Sequence, residues 1–163
     1  MHRLVASLPA GVVVDYVPAS FIPAEDWPVF QRAYLAAQVL GIADRAHDAM
    51  FDAIWKSGEL AIIDPSTQRL KARLPTIDDV ARFYHRTTGV AVSDFLATAA
   101  SMGVETKMGQ ADSLIMVKYH VTGTPTLIVN GRYRLDLSSA GGPEKLVELV
   151  TWLVAREGAR QGR

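Results

Sequence analysis

A long stretch with helical periodicity lies between two short β-branched segments, and this order limits the folds open to the chain more than any other feature. From Asp26 to His120, apolar residues recur every three or four positions, which is typical of amphipathic helices. The sequence GVVVDYV at residues 11–17 predicts a buried strand before this block, and TLIV at residues 126–129 predicts another after it. We therefore expect a mixed α/β chain whose middle is helical.

Turn and helix signals follow the helical block. Asn130-Gly131 comes directly after TLIV, and this dipeptide is the strongest short signal of a hairpin. Residues 132–135 alternate between polar and apolar side chains, as in a half-exposed strand. Pro143 suits the first position of a final helix, where the missing N–H has no partner in any case. The predicted order is strand, helical block, hairpin and closing helix.

Capping signals mark helix ends inside the helical block. Thr76 and Asp79 form a capping-box pattern, in which the threonine hydroxyl can accept a hydrogen bond from the Asp79 amide. Ser93 is a candidate N-cap, and Gly89 and Gly103 are candidates for the residue just past a helix C-terminus. These signals predict that several helices, with separate ends, make up the block.

Composition excludes several classes of function. The 163 residues suit one compact chain, and 49% hydrophobic with 21% charged residues exclude intrinsic disorder. Seventeen Lys and Arg balance seventeen Asp and Glu, so the basic excess of a nucleic-acid-binding protein is lacking. No apolar run reaches the ~20 residues that span a bilayer. The chain has no cysteine, which excludes disulfides, cysteine-bound metals and thiol nucleophiles.

Other patterns offer weak candidates for chemistry. Asp44, His47 and Asp48 share one predicted helix face and could hold a metal ion, but no fourth ligand can be named and a solvated face is favoured. The sequence SSAGG at residues 138–142 could cradle an anion, but it lacks the Lys-Ser/Thr ending of a phosphate loop, so a capped turn is favoured. No G-x-S-x-G pattern offers a serine nucleophile. We therefore predict no catalytic residue, no metal and no cofactor.

The most informative segment is VTGTPTLIVNGRY at residues 121–133. Proline at the opening of a buried strand is unusual, because it cannot donate a hydrogen bond to the sheet. A trans proline at a strand start is the ordinary interpretation. A cis Thr124–Pro125 bond would instead turn the preceding backbone outward and leave its polar groups open to an extended peptide. The residues alone leave both forms open.

This segment resembles the cis-proline loop and following hairpin of DsbA-type thiol:disulfide oxidoreductases. Its pattern, V-x-G-T-P-T-x-x-V-N-G-x-Y, is accompanied in the expected order by other similar segments. The sequence LPAGV at residues 8–12 is similar to the turn and strand after the family's active-site helix. Residues 27–119 resemble its inserted helical domain, and residues 143–157 resemble its closing helix. The resemblance therefore covers nearly the whole chain.

The resemblance implies a thioredoxin-like fold with an inserted all-helical domain. On this basis, residues 1–23 and 121–163 are assigned to the thioredoxin-like part, and residues 24–120 to the helical insertion. Together with the proline at the strand start, the resemblance predicts a cis Thr124–Pro125 bond and an accessible Thr124. It also implies that Thr124 and Pro125 bind substrate. In the family the residue before the cis proline contacts substrate backbone, so the implied partners are extended or unfolded polypeptides.

The sequence departs from the family at its redox site. The family's C-x-x-C motif, its first strand or strands, and the start of its active-site helix would all lie before Met1. Thiol–disulfide exchange requires a thiolate that attacks a sulfur atom. Since the chain contains no cysteine, we expect it to be inactive as written.

Three hypotheses follow, in order of preference. In the first, the chain is an N-terminally incomplete DsbA-type oxidoreductase, whose full-length form acts on secreted proteins in the periplasm and is reoxidised by a membrane quinone-linked partner. In the second, it is a cysteine-free peptide-binding module. In the third, it is a relative of glutathione-dependent isomerases and kappa-type transferases. The N-terminus carries no convincing signal peptide, so a cytoplasmic location is expected if Met1 is the true start.

Overall fold

The computed structural model describes residues 2–161 and divides into two compact units. Met1–Val17 and Tyr119–Arg163 form one, the sheet-bearing unit, and Pro18–Lys118 form the other, the helical unit. No helix in the described part of the chain combines the length and the apolar character needed to cross a bilayer. The predicted boundaries of the thioredoxin-like part and the helical insertion, at 23/24 and 120/121, stay a prediction.

Most of the elements are helices, and two pairs of short strands lie between them. In chain order they are α1 (His2–Ser7), a 3-10 turn (Pro23–Glu25), α2 (Trp27–Val39), α3 (Ala43–Trp55), β1 (Ile63–Asp64), β2 (Arg69–Leu70), α4 (Ile77–Thr88), α5 (Val92–Ala99), α6 (Met102–Asp112), a π-helical turn (Ser113–Lys118), β3 (Thr126–Val129), β4 (Tyr133–Asp136), α7 (Leu137–Ala140) and α8 (Pro143–Gln161). The predicted helical block, hairpin and closing helix are confirmed. The two-residue β1–β2 hairpin carried no sequence signal that we recognised.

Small side chains allow the helices of the helical unit to pack closely. Buried alanines lie on the facing sides of α2 to α5, among them Ala33, Ala36, Ala37, Ala43, Ala46, Ala53, Ala81 and Ala99. The rings of Tyr84 and Phe95 stack between α4 and α5, with centroids 4.7 Å apart. At the edge of the same core, the rings of Trp27 and Trp55 lie 6.0 Å apart. The core of this unit therefore combines small spacers with a few large aromatic rings.

Helix ends confirm some of the capping predictions and contradict others. Thr76 caps α4 in a full capping box with Asp79, and Gly89 ends the helix in the left-handed conformation, with φ 82°. Ser93 is not an N-cap, because α5 begins one residue earlier, after the extended Ala91. Gly103 lies inside α6 and not just past the end of a helix.

The position of Gly103 is explained by the residue that precedes α6. The Ser101 hydroxyl accepts a hydrogen bond from the amide of Val104 at 3.3 Å, which starts α6 at Met102. Gly103 therefore falls in the first turn of this helix. A glycine near a helix end can lie just past one helix or in the first turn of the next. The position of the capping serine distinguishes the two cases.

The sheet-bearing unit is a two-stranded hairpin packed on α8. β3 and β4 are antiparallel, and Leu127 pairs with Leu135 while Val129 pairs with Tyr133. The apolar side chains of the hairpin pack against one stripe of α8 and against α1: Leu4, Leu127, Val129, Leu135, Leu146, Val150 and Leu153. The third tryptophan, Trp152, points away from this stripe, with the Arg156 guanidinium 5.0 Å from its ring centroid.

The predicted strand at residues 11–17 is wrong. Residues 12–20 have no regular secondary structure, and the side chain of Val13 is 90% exposed. A strand is stable only when a neighbouring strand accepts and donates its backbone hydrogen bonds. In the described residues β3 and β4 pair only with each other, so the β-branched segment has no strand beside it. Its composition favours a strand, but composition cannot supply a partner.

The Tyr84–Phe95 stack gives a first test of this fold. Phe95 is fully buried, so Phe95→Ala should lower the free energy of unfolding by about 3–5 kcal/mol, because it removes apolar contacts and leaves a cavity. The matched control is Phe51→Ala, since Phe51 is 53% exposed and its loss should cost less than about 1 kcal/mol. Urea unfolding followed by circular dichroism measures both. Equal losses for the two variants would contradict the described core.

The capping box gives a test by pH. Hydrogen bonds from the Thr76 amide and hydroxyl, and then from Arg82, hold the pKa of Asp79 at about 2, below its ordinary 3.8. Because the folded-state pKa is the lower one, the carboxylate stabilises the fold above about pH 5, and this contribution is lost as the pH falls towards 2. Its side chain is 26% exposed, so we expect about 1–2 kcal/mol after solvent screening.

The measurement compares the chain with Asp79→Asn in urea at several pH values. The difference in unfolding free energy should be largest near pH 7 and should fall by more than half at pH 2. Asp15→Asn, at an exposed position outside the helices and strands, is the control and should change the unfolding free energy by less than about 0.5 kcal/mol. A difference between the chain and Asp79→Asn that does not change with pH would show that the carboxylate charge is not what stabilises α4.

Candidate functional site

The predicted substrate-binding residues lie in an exposed loop before β3. The loop spans residues 119–125, between the π-helical turn and the hairpin. Thr122, Gly123, Thr124 and Pro125 are all exposed. The Thr124–Pro125 peptide bond is cis, which confirms the prediction made from the sequence, and the exposure of Thr124 confirms its predicted accessibility.

An arginine of the hairpin holds the start of this loop. Arg134 Nη1 donates hydrogen bonds to the carbonyl oxygens of Tyr119 at 3.0 Å and of His120 at 2.7 Å. Donors that carry a charge make the stronger hydrogen bonds of proteins. His120 itself takes a left-handed backbone conformation, with φ 48°, which few non-glycine residues adopt. Arg134 thus fixes the direction in which the chain enters the loop.

The end of the loop is held by a contact of its own. The Thr126 hydroxyl donates a hydrogen bond to the carbonyl oxygen of Gly123 at 2.7 Å, which closes a turn around Thr124 and Pro125. Within the described residues, no hydrogen bond engages the backbone N–H or C=O of Thr124. These groups face solvent instead of a partner, so they are available to a polar ligand.

The outer edge of β3 continues this open backbone. β3 has β4 on one side, and no described strand lies on its other side. An unpaired strand edge presents a row of N–H and C=O groups at the spacing of another strand. The loop and the edge together therefore form one surface of unpaired main-chain donors and acceptors.

The hairpin turn is close to the beginning of the loop. Asn130 and Gly131 both have positive φ, 48° and 67°, and the Arg132 amide donates a hydrogen bond to the Val129 carbonyl at 3.0 Å, so the predicted turn is present. The connection has three residues, 130–132, because Val129 pairs with Tyr133, whereas the sequence predicted two and a strand from Arg132. A Cβ atom on Gly131 would lie 3.2 Å from the hydroxyl of Tyr119. Both the left-handed φ and this close approach favour glycine at the position.

Charged groups near the hairpin are engaged in structural contacts. Glu157 of α8 is buried, and its carboxylate accepts a hydrogen bond from the Tyr133 hydroxyl at 3.2 Å and lies 3.5 Å from Arg132. Asp136 caps α7, and hydrogen bonds from the Ser138 hydroxyl and the Ser139 amide lower the pKa of its carboxyl. Buried charges are stable only when paired in this way. The Glu157 and Asp136 carboxylates therefore serve the fold of the hairpin and of α7.

The weaker sequence candidates have structural surroundings. His47 packs between aromatic rings, with centroids 5.1 Å from Phe51 and 6.3 Å from Tyr34. The described residues contain no group of three side chains that could hold a metal ion. At residues 138–142, the amides of Gly141 and Gly142 bond the carbonyls of Ser138 and Leu137, so this segment forms the end of α7.

Sequence analysis missed the residues that position the loop. Arg134 carries no signal beyond its place in an alternating strand, and Tyr119 lies at the end of the helical pattern. Their roles come from contacts across 14 or 15 positions of the chain, which a local pattern does not reveal. The contacts are visible only once the hairpin has folded back beside the loop.

Comparison with known proteins gives relatives over nearly the whole chain. No protein-family model matches it. The thiol:disulfide interchange protein DsbA of Pseudomonas syringae pv. tomato is 37% identical over 155 residues, which are 95% of this chain and 64% of the relative. DsbA of Pseudomonas aeruginosa is 35% identical over 152 residues, 93% of this chain and 64% of the relative. The chain therefore spans less than two thirds of the length of these curated relatives.

Solved structures agree with these relatives. The oxidoreductase DsbA of Xylella fastidiosa has a TM-score of 0.79 at 35% identity, covering 97% of this chain and 75% of that structure. DsbA of Pseudomonas aeruginosa has a TM-score of 0.77 at 32% identity, covering 99% and 75%. DsbA of Proteus mirabilis, solved with a non-covalently bound peptide, has a TM-score of 0.67 at 16% identity, covering 94% and 79%, and shows the fold alone. The fold is thus thioredoxin-like with a helical insertion, and the chain belongs to the DsbA family of thiol:disulfide interchange proteins.

Proposed function

We propose that the Thr124–Pro125 loop and the open edge of β3 bind extended or unfolded polypeptides through main-chain hydrogen bonds. In this proposal, the chain provides the polypeptide-binding part of DsbA-type thiol:disulfide interchange. One observation carries the proposal: the exposed Thr124 has no backbone hydrogen bond in the described structure and adjoins an unpaired strand edge. An added strand is recognised by its backbone, which suits a site that accepts many sequences.

The relatives support this class of ligand. The relatives named above are called DsbA, and the Proteus mirabilis protein binds a peptide without a covalent bond in its solved structure. The family resemblance assigns the same role to Thr124 and Pro125. The hydrogen bonds from Arg134 favour tight binding, because a loop that is already ordered loses less entropy when a peptide docks.

The exchange step needs a group that these 163 residues do not contain. In thiol–disulfide exchange a thiolate attacks one sulfur of a disulfide, a mixed disulfide forms, and the other sulfur leaves as a thiolate. The chain has no cysteine, so both the attacking thiolate and the disulfide that it attacks must come from outside this sequence. We propose that the chain binds and orients the polypeptide, and that a protein with the redox pair performs this exchange in the periplasm, where a membrane quinone-linked reoxidase renews its disulfide.

A cysteine-free peptide-binding module is the second candidate. It differs from the first hypothesis, an N-terminally incomplete DsbA-type oxidoreductase, in having lost redox chemistry, and the absence of cysteine from these 163 residues is the observation that favours it. Both candidates require the same peptide site. The third hypothesis, a glutathione-dependent isomerase or kappa-type transferase, is less favoured because the relatives at 32–37% identity are named DsbA.

The purified chain should not catalyse disulfide exchange. In an assay that follows the reduction of insulin by dithiothreitol, we expect the rate with the chain to equal the rate with buffer, because the chain contributes no thiolate. A DsbA with its cysteine pair is the positive control. A reproducible rate increase from the chain, after removal of contaminating thiol enzymes, would contradict this expectation.

Main-chain recognition can be tested by changing the ligand. A short cysteine-free peptide that binds the chain is methylated at one backbone nitrogen at a time. Because alternate N–H groups of a strand face its neighbour, methylation should weaken binding about tenfold at alternate positions and less than twofold between them. Isothermal titration calorimetry measures each affinity. Equal affinities for all the methylated peptides would rule out an added strand.

The positioning role of Arg134 has a matched control in the chain. Arg134→Gln removes the charged donor to the carbonyls of Tyr119 and His120, so the same peptide should bind about five- to tenfold more weakly. Arg69→Gln makes the same change at an exposed position of β2 and should bind unchanged. Circular dichroism checks that both variants fold. Unchanged binding by Arg134→Gln would show that the loop needs no such support.

A further inference from the structure

The helical unit contains a concave pocket far along the chain from the Thr124–Pro125 loop. Its volume is about 290 Å³, at the lower end of the range of ligand sites. Three segments form it: the loop after α3, the residues that follow β2, and one face of α4. We call it the basic pocket, and its lining residues are Glu59, Leu60, Ala61, Lys71, Arg73, Leu74, Pro75, Asp79, Arg82 and Arg86.

Positive charge exceeds negative charge around the pocket. The lining contains four cationic side chains and only two carboxylates. The cations are Lys71, Arg73, Arg82 and Arg86, and the carboxylates are those of Glu59 and Asp79. The pocket thus carries two net positive charges, whereas the chain as a whole carries none. A concave surface of one sign concentrates ions of the opposite sign. The excess therefore belongs to the pocket and does not follow from a generally basic surface.

The two carboxylates orient the arginines before any ligand arrives. Arg82 Nη2 lies 2.7 Å from Asp79 Oδ1, and Arg73 Nη2 lies 3.7 Å from Asp79 Oδ2. Arg86 forms an ion pair with Glu59 across the pocket wall. Each guanidinium has five N–H donors, and one carboxylate engages only part of them. The remaining donors are held in place at little further entropic cost.

Lys71 differs from the three arginines of the pocket because no carboxylate forms an ion pair with it in the described residues. Its ammonium donates a hydrogen bond to the Gly58 carbonyl at 3.2 Å, and its own amide bonds the Ile62 carbonyl at 2.9 Å. It forms no ion pair with any carboxylate in the described residues. The Asp64 carboxylate has a weak electrostatic interaction with this ammonium, but its hydrogen bonds come from Ser66 and Thr67. The ammonium keeps two further N–H donors for a ligand.

Side chains, and not helix amides, would bind the ligand. The N-terminus of α4 borders the pocket, but the capping box of Thr76 and Asp79 already occupies it. Guanidinium groups match the geometry of phosphate oxygens, and a phosphate monoester carries nearly two negative charges at neutral pH. The volume suits a small ligand. From this arrangement we propose that the basic pocket binds a small phosphate-bearing anion.

Binding is measured with pyrophosphate on the whole chain, by two-dimensional NMR at 0.1 M sodium chloride. We expect a submillimolar dissociation constant, with the largest shifts at the amides of residues 59–61, 71–74 and 82–86. Adenosine monophosphate and citrate are titrated in parallel. Tighter binding of the monophosphate indicates a phosphate monoester as the ligand, and tighter binding of pyrophosphate indicates free polyphosphate. Binding of citrate at least as tight as that of both phosphates would overturn the choice of phosphate.

Variants separate a built site from general attraction. The double substitution Lys71→Gln with Arg73→Gln should weaken pyrophosphate binding at least tenfold. The single substitution Lys71→Arg, with Arg73 intact, should keep most of the affinity of the unmodified chain. Lys107→Gln removes one charge from α6, outside the pocket, and should change the affinity less than twofold. Equal weakening by Lys107→Gln and by Lys71→Gln alone, or no shift up to 10 mM pyrophosphate (roughly the limit of weak specific binding), would refute the proposal.

Discussion

The register of β3 against β4 is the constraint on which the sheet-bearing unit depends. Side chains alternate across a strand, so the pairing of Leu127 with Leu135 turns both towards α8. The same alternation turns Arg134 to the opposite face, where it reaches the carbonyls that begin the loop. A slip of one residue would expose the leucines and withdraw the arginine together. One register thus closes the core and also positions the Thr124–Pro125 loop.

The helical unit is organised by different physical means. Its core relies on alanines that bring helices close together, and its helix ends rely on polar side chains that satisfy free amides. Asp79 takes part in both the cap of α4 and the wall of the basic pocket. The two units therefore expose different chemical groups. One presents unpaired backbone groups at a strand edge and loop, and the other presents a concave cluster of positive charges.

Most local signals predicted well, with the caps at Ser93 and Gly103 as exceptions, whereas signals that require a distant partner did not. The Thr76 cap, the Asn130-Gly131 turn and the start of α8 each depend on a few neighbouring residues, and the structure confirms them. The β-branched segment at 11–17 failed because a strand is defined by its neighbour. The basic pocket was not predicted, since it joins residues from 59 to 86 through three separate segments. For the loop, the sequence indicated Thr124 and Pro125 but not the arginine that supports them.

The placement of the three tryptophans gives each unit its own optical signature. Trp27 and Trp55 lie within 6.0 Å in the helical unit, a separation at which two indoles exchange excitation. Trp152 is the single tryptophan of the other unit, and it is half-exposed with the Arg156 guanidinium 5.0 Å from its ring centroid. Intrinsic fluorescence can therefore resolve the melting of one unit from that of the other without an added dye. If the emission of the tryptophans in the two units changes at the same temperature, the two units unfold together, and if it changes at different temperatures, they unfold separately.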